Sequence, residues 1–298
     1  MVKQEEAFAL VGTQTLLGRE IRDIGQSKGM RLRGFDTADE EGTTLVRGED
    51  GDLELLPPLD APAIAAARAV FFVGDAELGR RTLGMGPRVL VDVAGVLEAK
   101  PGPRFKRIPS AAALLLEDFA AKVGALGKVE RMVAHVLYPV SEWGQAALGE
   151  LQQQTVALLN FQTMRKELFD TQAAFALLPG YGEESAFRLS EAQARTEREL
   201  AAMEMPPWSL HFTQAPVFHG LSATVWVEFA KPVAVDAFVW GEEEGEGPNN
   251  VNTAGTDGVA YGKAKADSQN GKAAWFWMAA DNHRLVANRA WQAVEGLA

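Results

Sequence analysis

Cysteine is absent from all 298 residues. That removes disulfide frameworks, thiolate metal sites and any cysteine nucleophile, and makes a reducing, cytoplasmic setting the default expectation. Long apolar runs are absent as well. No stretch approaches the roughly 20 apolar residues of a membrane span. The opening Met1-Val2-Lys3-Gln4-Glu5-Glu6 is polar, and the apolar run after it is too short for a signal-peptide core. Basic residues are in the minority: 29 Lys and Arg against 40 Asp and Glu leave a net charge of −11. With no basic cluster interleaved with aromatics, neither nucleic acid nor a membrane surface is an expected partner. Histidine occurs only at His135, His211, His219 and His283. These positions never fall at metal-ligand spacing on one segment, although strand parity would let His211 and His219 share a face, so no metal site is expected.

What is present begins with a strand, a tight turn and a helix. The apolar run Phe8-Ala9-Leu10-Val11 leads into Gly12-Thr13-Gln14-Thr15-Leu16-Leu17-Gly18. Gly12 permits the turn and Gly18 lets the helix approach the sheet, the outer pair of a dinucleotide-binding fingerprint. The middle glycine is replaced by Thr15, which stands where bare backbone would meet a pyrophosphate. The second strand, residues 30–36, ends on Asp36, placed to meet a ribose 2′-hydroxyl and to repel a 2′-phosphate. If a nucleotide binds, NAD is favoured over NADP, with Arg33 the one neighbour arguing otherwise; an acid closing a strand before a turn is the competing reading. The candidate cofactor contacts are Gly12, Thr13, Thr15, Leu16, Leu17, Gly18 and Asp36. Residues 69–74 and 89–95 are apolar runs stopped by glycine, as buried parallel strands are. Asp75 and Glu77 follow the first of them at the ligand-binding edge of such a sheet, where solvated loop acids are the plainer account. Together these pieces form a Rossmann-like, doubly wound α/β domain.

The length exceeds what one core serves, so two domains are expected. Past Pro109 the pattern changes. A helix is expected over residues 110–126 with Ser110 as N-cap, then a strand over 129–140 and a helix over 146–161 whose Leu148, Leu151, Thr155, Leu158 and Leu159 share a face. Strands are expected at 173–178, 209–217, 222–229, 258–266 and 273–280, a helix at 190–203 and a polar loop at 241–258. This reads as an α+β domain. Val225, Val227, Phe229 and the Trp275-Phe276-Trp277 strand give its sheet more apolar surface than one helical layer need cover, which points to a homodimer.

Several segments in order carry a resemblance: the Gly12 to Gly18 turn; Tyr138-Pro139-Val140-Ser141-Glu142-Trp143-Gly144-Gln145; Ala215-Pro216-Val217-Phe218-His219-Gly220-Leu221-Ser222; and Ala280-Asp281-Asn282-His283-Arg284 before a last helix. The chain resembles the aspartate-semialdehyde dehydrogenase family, most closely its USG-1-like, non-catalytic-looking homologues. The resemblance implies a Rossmann-like domain over residues 1–111 with 282–298 returning to it, and a dimerisation domain over 112–281. It also implies an acyl-enzyme cysteine where this chain has Ala111, a basic histidine where it has Leu221, a carboxylate-binding arginine where it has Gln214, and a glutamine where it has Pro139. A methyl group cannot attack an aldehyde, and glutamine lacks the charged fork of arginine. The resemblance therefore implies a dimeric homologue silent in that reaction, acting by binding a small molecule or protein that the sequence does not name. The alternative is an active NAD(P)-dependent oxidoreductase with a rewired site, His219 being the candidate base because it falls two residues before Leu221. Ser110 and Ser222 are further hydroxyl candidates, but no nucleophile elbow surrounds either and capping or loop roles fit them.

Overall fold

The computed structural model describes residues 8–35, 44–47, 53–203, 205–234 and 247–296. Contacts divide the chain into two units, Met1–Pro109 with Val286–Ala298, and Ser110–Leu285.

The first unit is built on β1 (Phe8–Val11), β2 (Leu32–Phe35), β5 (Val70–Phe72), β6 (Leu90–Asp92) and β7 (Phe105–Arg107), in the spatial order β2-β1-β5-β6-β7. All four pairings are parallel. Both faces of the central strands are covered, hence the unbroken apolar runs: every residue of β1 and β5 is buried. Helices α1 (Leu16–Ser27), α2 (Ala61–Ala66) and α3 (Ala76–Gly84) connect the strands. A small antiparallel hairpin of β3 (Thr44–Arg47) and β4 (Leu53–Leu56) was not expected. Nor was β7, an edge strand with one apolar residue in three and therefore almost no pattern of its own. The last helix, α7 (Asn282–Val294), returns to this unit from Val286 onward. Its Trp291 is 2% exposed; the ring lies 4.7 Å from that of Phe71 and 5.1 Å from that of Phe8, and the indole N–H donates to the Ile21 carbonyl at 2.9 Å.

The second unit holds a mixed sheet ordered β11-β13-β10-β8-β9, with β12 also on β13. Its members are β8 (Val129–Tyr138), β9 (Trp208–Gln214), β10 (Leu221–Phe229), β11 (Ala260–Tyr261), β12 (Lys265–Ala266) and β13 (Ala273–Ala280). β8 and β9 run parallel, while β10 is antiparallel to β8 and to β13. The ends of β8, β9 and β13 and the start of β10 consequently share one edge. Helix α4 (Ala111–Gly124) packs on one face through Phe119, whose ring lies 5.1 Å from Phe276 and 6.3 Å from Trp208, and α6 (Leu189–Ala202) lies against β9. The opposite face leaves Val133 at 40% and Trp275 at 43% exposure.

Two expectations are corrected by one cause. Helix α5 (Gln145–Leu159) was expected to carry Leu148, Leu151, Thr155, Leu158 and Leu159 on one face, and residues 173–178 were expected to form a strand. Leu151 is buried and Leu148 and Leu158 pack beside it, but Glu150 and Gln154 are buried with them and Leu159 is 67% exposed. Glu150 accepts the amide hydrogens of Glu167, Leu168 and Phe169. Gln154 donates to the carbonyls of Arg165 and Thr171 and accepts from the amides of Ala173 and Ala174. These two side chains take up the loop's backbone groups, so no ladder forms there beyond one bridge between Leu178 and Gln214. Residues 258–266 likewise form only β11 and β12. Val225, Val227 and Phe229, expected to feed a dimer face, point toward the covered side and are at most 1% exposed.

Candidate functional site

In the first unit, Gly12 has φ +90, and a Cβ there would lie 1.8 Å from the Val73 carbonyl oxygen. A Cβ on Gly18 would lie 2.1 Å from the Gly12 oxygen. Both glycines are therefore obligatory for this turn. Thr15 caps α1: its hydroxyl accepts from the Gly18 amide at 2.9 Å and donates to the Gly12 carbonyl at 2.8 Å. One of the helix amides that would face a phosphate thus already has a partner. The Thr13 hydroxyl is buried against the Leu10 and Phe35 carbonyls, and Leu16 and Leu17 begin the helix. The turn fits a pyrophosphate incompletely. Asp36 lies outside the described residues. Asp75 is the N-cap of α3, accepting from Leu78 at 2.9 Å, and Glu77 sits in that helix's first turn.

In the second unit Ala111 is the first residue of α4 and 1% exposed. Ser110 caps that helix, as expected, by accepting from Ala113; its hydroxyl also lies 2.6 Å from Glu199 Oε2, which accepts the Ser110 amide at 2.9 Å as well. Glu199 pairs with Arg195 at 2.8 Å. Burial disfavours the Arg195 cation, but the charge and hydrogen bond of Glu199, helped by Glu142, outweigh it and raise the Arg195 pKa. Burial, reinforced by Glu142, holds the Tyr138 hydroxyl well above its ordinary range.

Gln214, the last residue of β9, is 0% exposed. Its amide nitrogen donates to the Tyr138 carbonyl at 2.7 Å and the Ala215 carbonyl at 2.8 Å; its oxygen accepts from the Trp143 indole at 2.9 Å and the Tyr181 hydroxyl at 2.5 Å. All four of its hydrogen-bonding valences are filled by the protein. Leu221 begins β10 opposite Ala280 and is 0% exposed. Ser222 is buried in the same strand.

The histidines fall into two pairs. His135 and His211 are in register on β8 and β9 with rings 5.4 Å apart, so His211 faces His135 rather than His219. Burial and the His211 charge lower the His135 pKa. His219 lies 5.1 Å from His283, whose pKa burial lowers. His219 Nε2 is 2.8 Å from Asp281 Oδ1, and its Nδ1 is 3.2 Å from Ser141 Oγ. Hydrogen bonds from His219 and from the Arg284 and Gly255 amides overcome the burial of Asp281 and hold its pKa at about 2. Asn282 donates to Ser141 Oγ at 3.1 Å and to Glu142 at 2.5 Å, and accepts from the Gly220 amide at 3.0 Å. Ser141, Asp281 and Asn282 were not singled out from the sequence. Asp281-Asn282 at a junction of strand and helix was the available signal, but the partners lie about 60 to 140 residues away. Among the described residues no group of three or more His, Asp or Glu could hold a metal ion, and no helix is long and apolar enough to cross a membrane.

Residues 122–285 match the model of the semialdehyde dehydrogenase dimerisation domain. The chain belongs to the semialdehyde dehydrogenase family. Within that family it is 31% identical over 217 residues to a USG-1 protein homolog of Pseudomonas aeruginosa, across 68% of this chain and 65% of that relative. It is 28% identical to aspartate-semialdehyde dehydrogenase 2 of Vibrio cholerae, across 53% and 51% respectively. The matched stretch thus spans just under two thirds of the USG-1 homolog and about half of the dehydrogenase. The structure of a probable aspartate-semialdehyde dehydrogenase from Pseudomonas aeruginosa superposes with a TM-score of 0.83 at 24% identity, covering 99% of this chain and 98% of the other, a likeness of fold. An α/β unit and a dimerisation-type unit make up the chain, as in the fold these matches share.

Proposed function

We propose that this family member is a homodimer that does not oxidise semialdehydes and acts by binding. The observation carrying the reading is Gln214: the position matching the family's substrate arginine holds a buried amide with every valence spent on the protein, leaving nothing to clamp a carboxylate. Ala111 and Leu221 at the nucleophile and base positions support it, since three linked losses are not repaired singly. Residues 1–111 with 282–298 then act as a vestigial Rossmann-like domain, with at best modest NAD binding and weaker NADP binding. Residues 112–281 act as the dimerisation domain, docking a second copy through the face that carries Val133 and Trp275. The setting is cytoplasmic. A rewired oxidoreductase working through His219 is the weaker reading, because the Thr15 cap already takes one of the helix amides that a nucleotide phosphate would need.

The purified protein should give no phosphate- and NAD(P)-dependent turnover of aspartate semialdehyde, and light scattering at micromolar concentration should give a dimer mass. Robust semialdehyde turnover would refute the first half, and a monomer mass the second. NADP binding tighter than NAD in a calorimetric titration would sink the reading of Asp36.

A further inference from the structure

We propose that Ser141, His219 and Asp281 form a nucleophile, a base and an orienting carboxylate able to transfer the acyl group of small activated esters. This goes beyond the binding role and uses none of the positions at which the family's groups are replaced.

The geometry has three parts. Asp281 is 4% exposed and bound by the Gly255 and Arg284 amides at 2.8 and 2.9 Å, which fixes its carboxylate before it meets His219 at 2.8 Å. An ionised carboxylate at Nε2 assigns the ring proton to that nitrogen, so Nδ1 carries the lone pair. Ser141 Oγ, 3.2 Å from Nδ1, can then donate to it. This is the pattern of a hydroxyl held by a base that is itself held by an acid. The third part is Asn282, whose Nδ2 lies 3.1 Å from Ser141 Oγ and whose orientation is set by the Gly220 amide. Its two N–H groups are taken by Ser141 Oγ and by Glu142, so it holds the serine hydroxyl in place for the base. The three segments meet because the ends of β8 and β13 and the start of β10 share a sheet edge. Ser141 itself is 2% exposed, while 32% of the His219 side chain is exposed. The triad therefore opens on its histidine side, and the substrate class is a small acyl group on a good leaving group.

In the reaction, Oγ bonds to the carbonyl carbon as its proton passes to Nδ1. Collapse of the tetrahedral adduct breaks the bond to the alcohol or phenol, which leaves with that proton. Water then adds to the acyl-serine by the same route and releases the acid. No oxidant or reductant is consumed.

The test uses the full chain with a small fluorophosphonate and with p-nitrophenyl acetate. The expected result is one label per chain on the peptide carrying Ser141, lost in Ser141→Ala and retained in Ser110→Ala. Ester hydrolysis should fall about 10²- to 10⁴-fold in His219→Gln. Labelling of the unmodified protein decides the matter even if Ser141→Ala fails to fold. No label on the Ser141 peptide, a label on Ser110 or Ser222 alone, or hydrolysis unchanged in a folded Ser141→Ala would each overturn the proposal and leave the three residues as a clasp on the start of α7.

Discussion

The side-chain nitrogen of Gln214 sits 2.7 Å from the carbonyl oxygen of Tyr138, its register partner on the neighbouring parallel strand. The amide knits the ends of β8 and β9 together, while its oxygen draws in Trp143 and Tyr181 from outside the sheet. Gln214→Arg should therefore destabilise rather than restore. A guanidinium has no acceptor, so the Tyr181 hydroxyl would lose its acceptor and the Trp143 indole would keep only the Tyr181 oxygen, and a cation would sit where the present side chain is wholly buried. The expected cost is about 2–4 kcal/mol, read by chemical denaturation. An arginine variant as stable as the parent would contradict this account.

Ala111→Cys alone should leave semialdehyde oxidation undetectable. The new thiol would be buried and, without a base, mostly protonated at neutral pH, and no cation would hold the substrate for attack. Steady-state assay of the single variant checks this. A trace of turnover is expected at most from the triple change Ala111→Cys, Gln214→Arg, Leu221→His.

Gly12→Ala should damage the first unit selectively. The added methyl meets the Val73 carbonyl oxygen at 1.8 Å, in a backbone conformation that alanine resists. The strand ends must separate, at a cost of about 2 kcal/mol or more. Amide exchange should speed up in β1 and β5 while β8 and β10 stay protected.

Acid should weaken the fold in two stages. His283 and His135 have folded pKa values below the ordinary 6.5, so the unfolded chain takes up protons first; their contribution is complete above about pH 6.5 and declines below it. Asp281, held at about 2 against an ordinary 3.8, contributes fully above about pH 4 and loses that contribution as the pH falls toward 2. Melting temperature measured from pH 8 to pH 3 should be flat, then fall below pH 6.5, then fall again below pH 4. In His283→Gln the first fall should be smaller. A flat profile down to pH 5 would count against the histidine part.

Where local chemistry was strong, the fold was legible in the sequence. The Phe8 to Val11 run and its glycine turn, Ser110 as a helix cap, and residues 273–280 as a strand all left local marks. The errors came where a distant side chain decided the backbone. Residues 173–178 carry strand-like composition, yet Gln154 takes the amides of Ala173 and Ala174. The candidate site was partly readable. His219 stood out by its distance from Leu221, but its partners Ser141 and Asp281 lie 78 and 62 residues away along the chain, and only the shared sheet edge brings them to it.

Trp291 makes the first unit the last part of the protein to be finished. Residues 8–92 emerge early, but the socket formed by Phe8, Phe71 and the Ile21 carbonyl stays unfilled until Trp291, in the last turn of α7, has been made. At about 5–20 residues per second that wait lasts roughly 10–40 s, during which an aromatic surface stands open to chaperones and proteases. A chain that stops short of Trp291 never covers it.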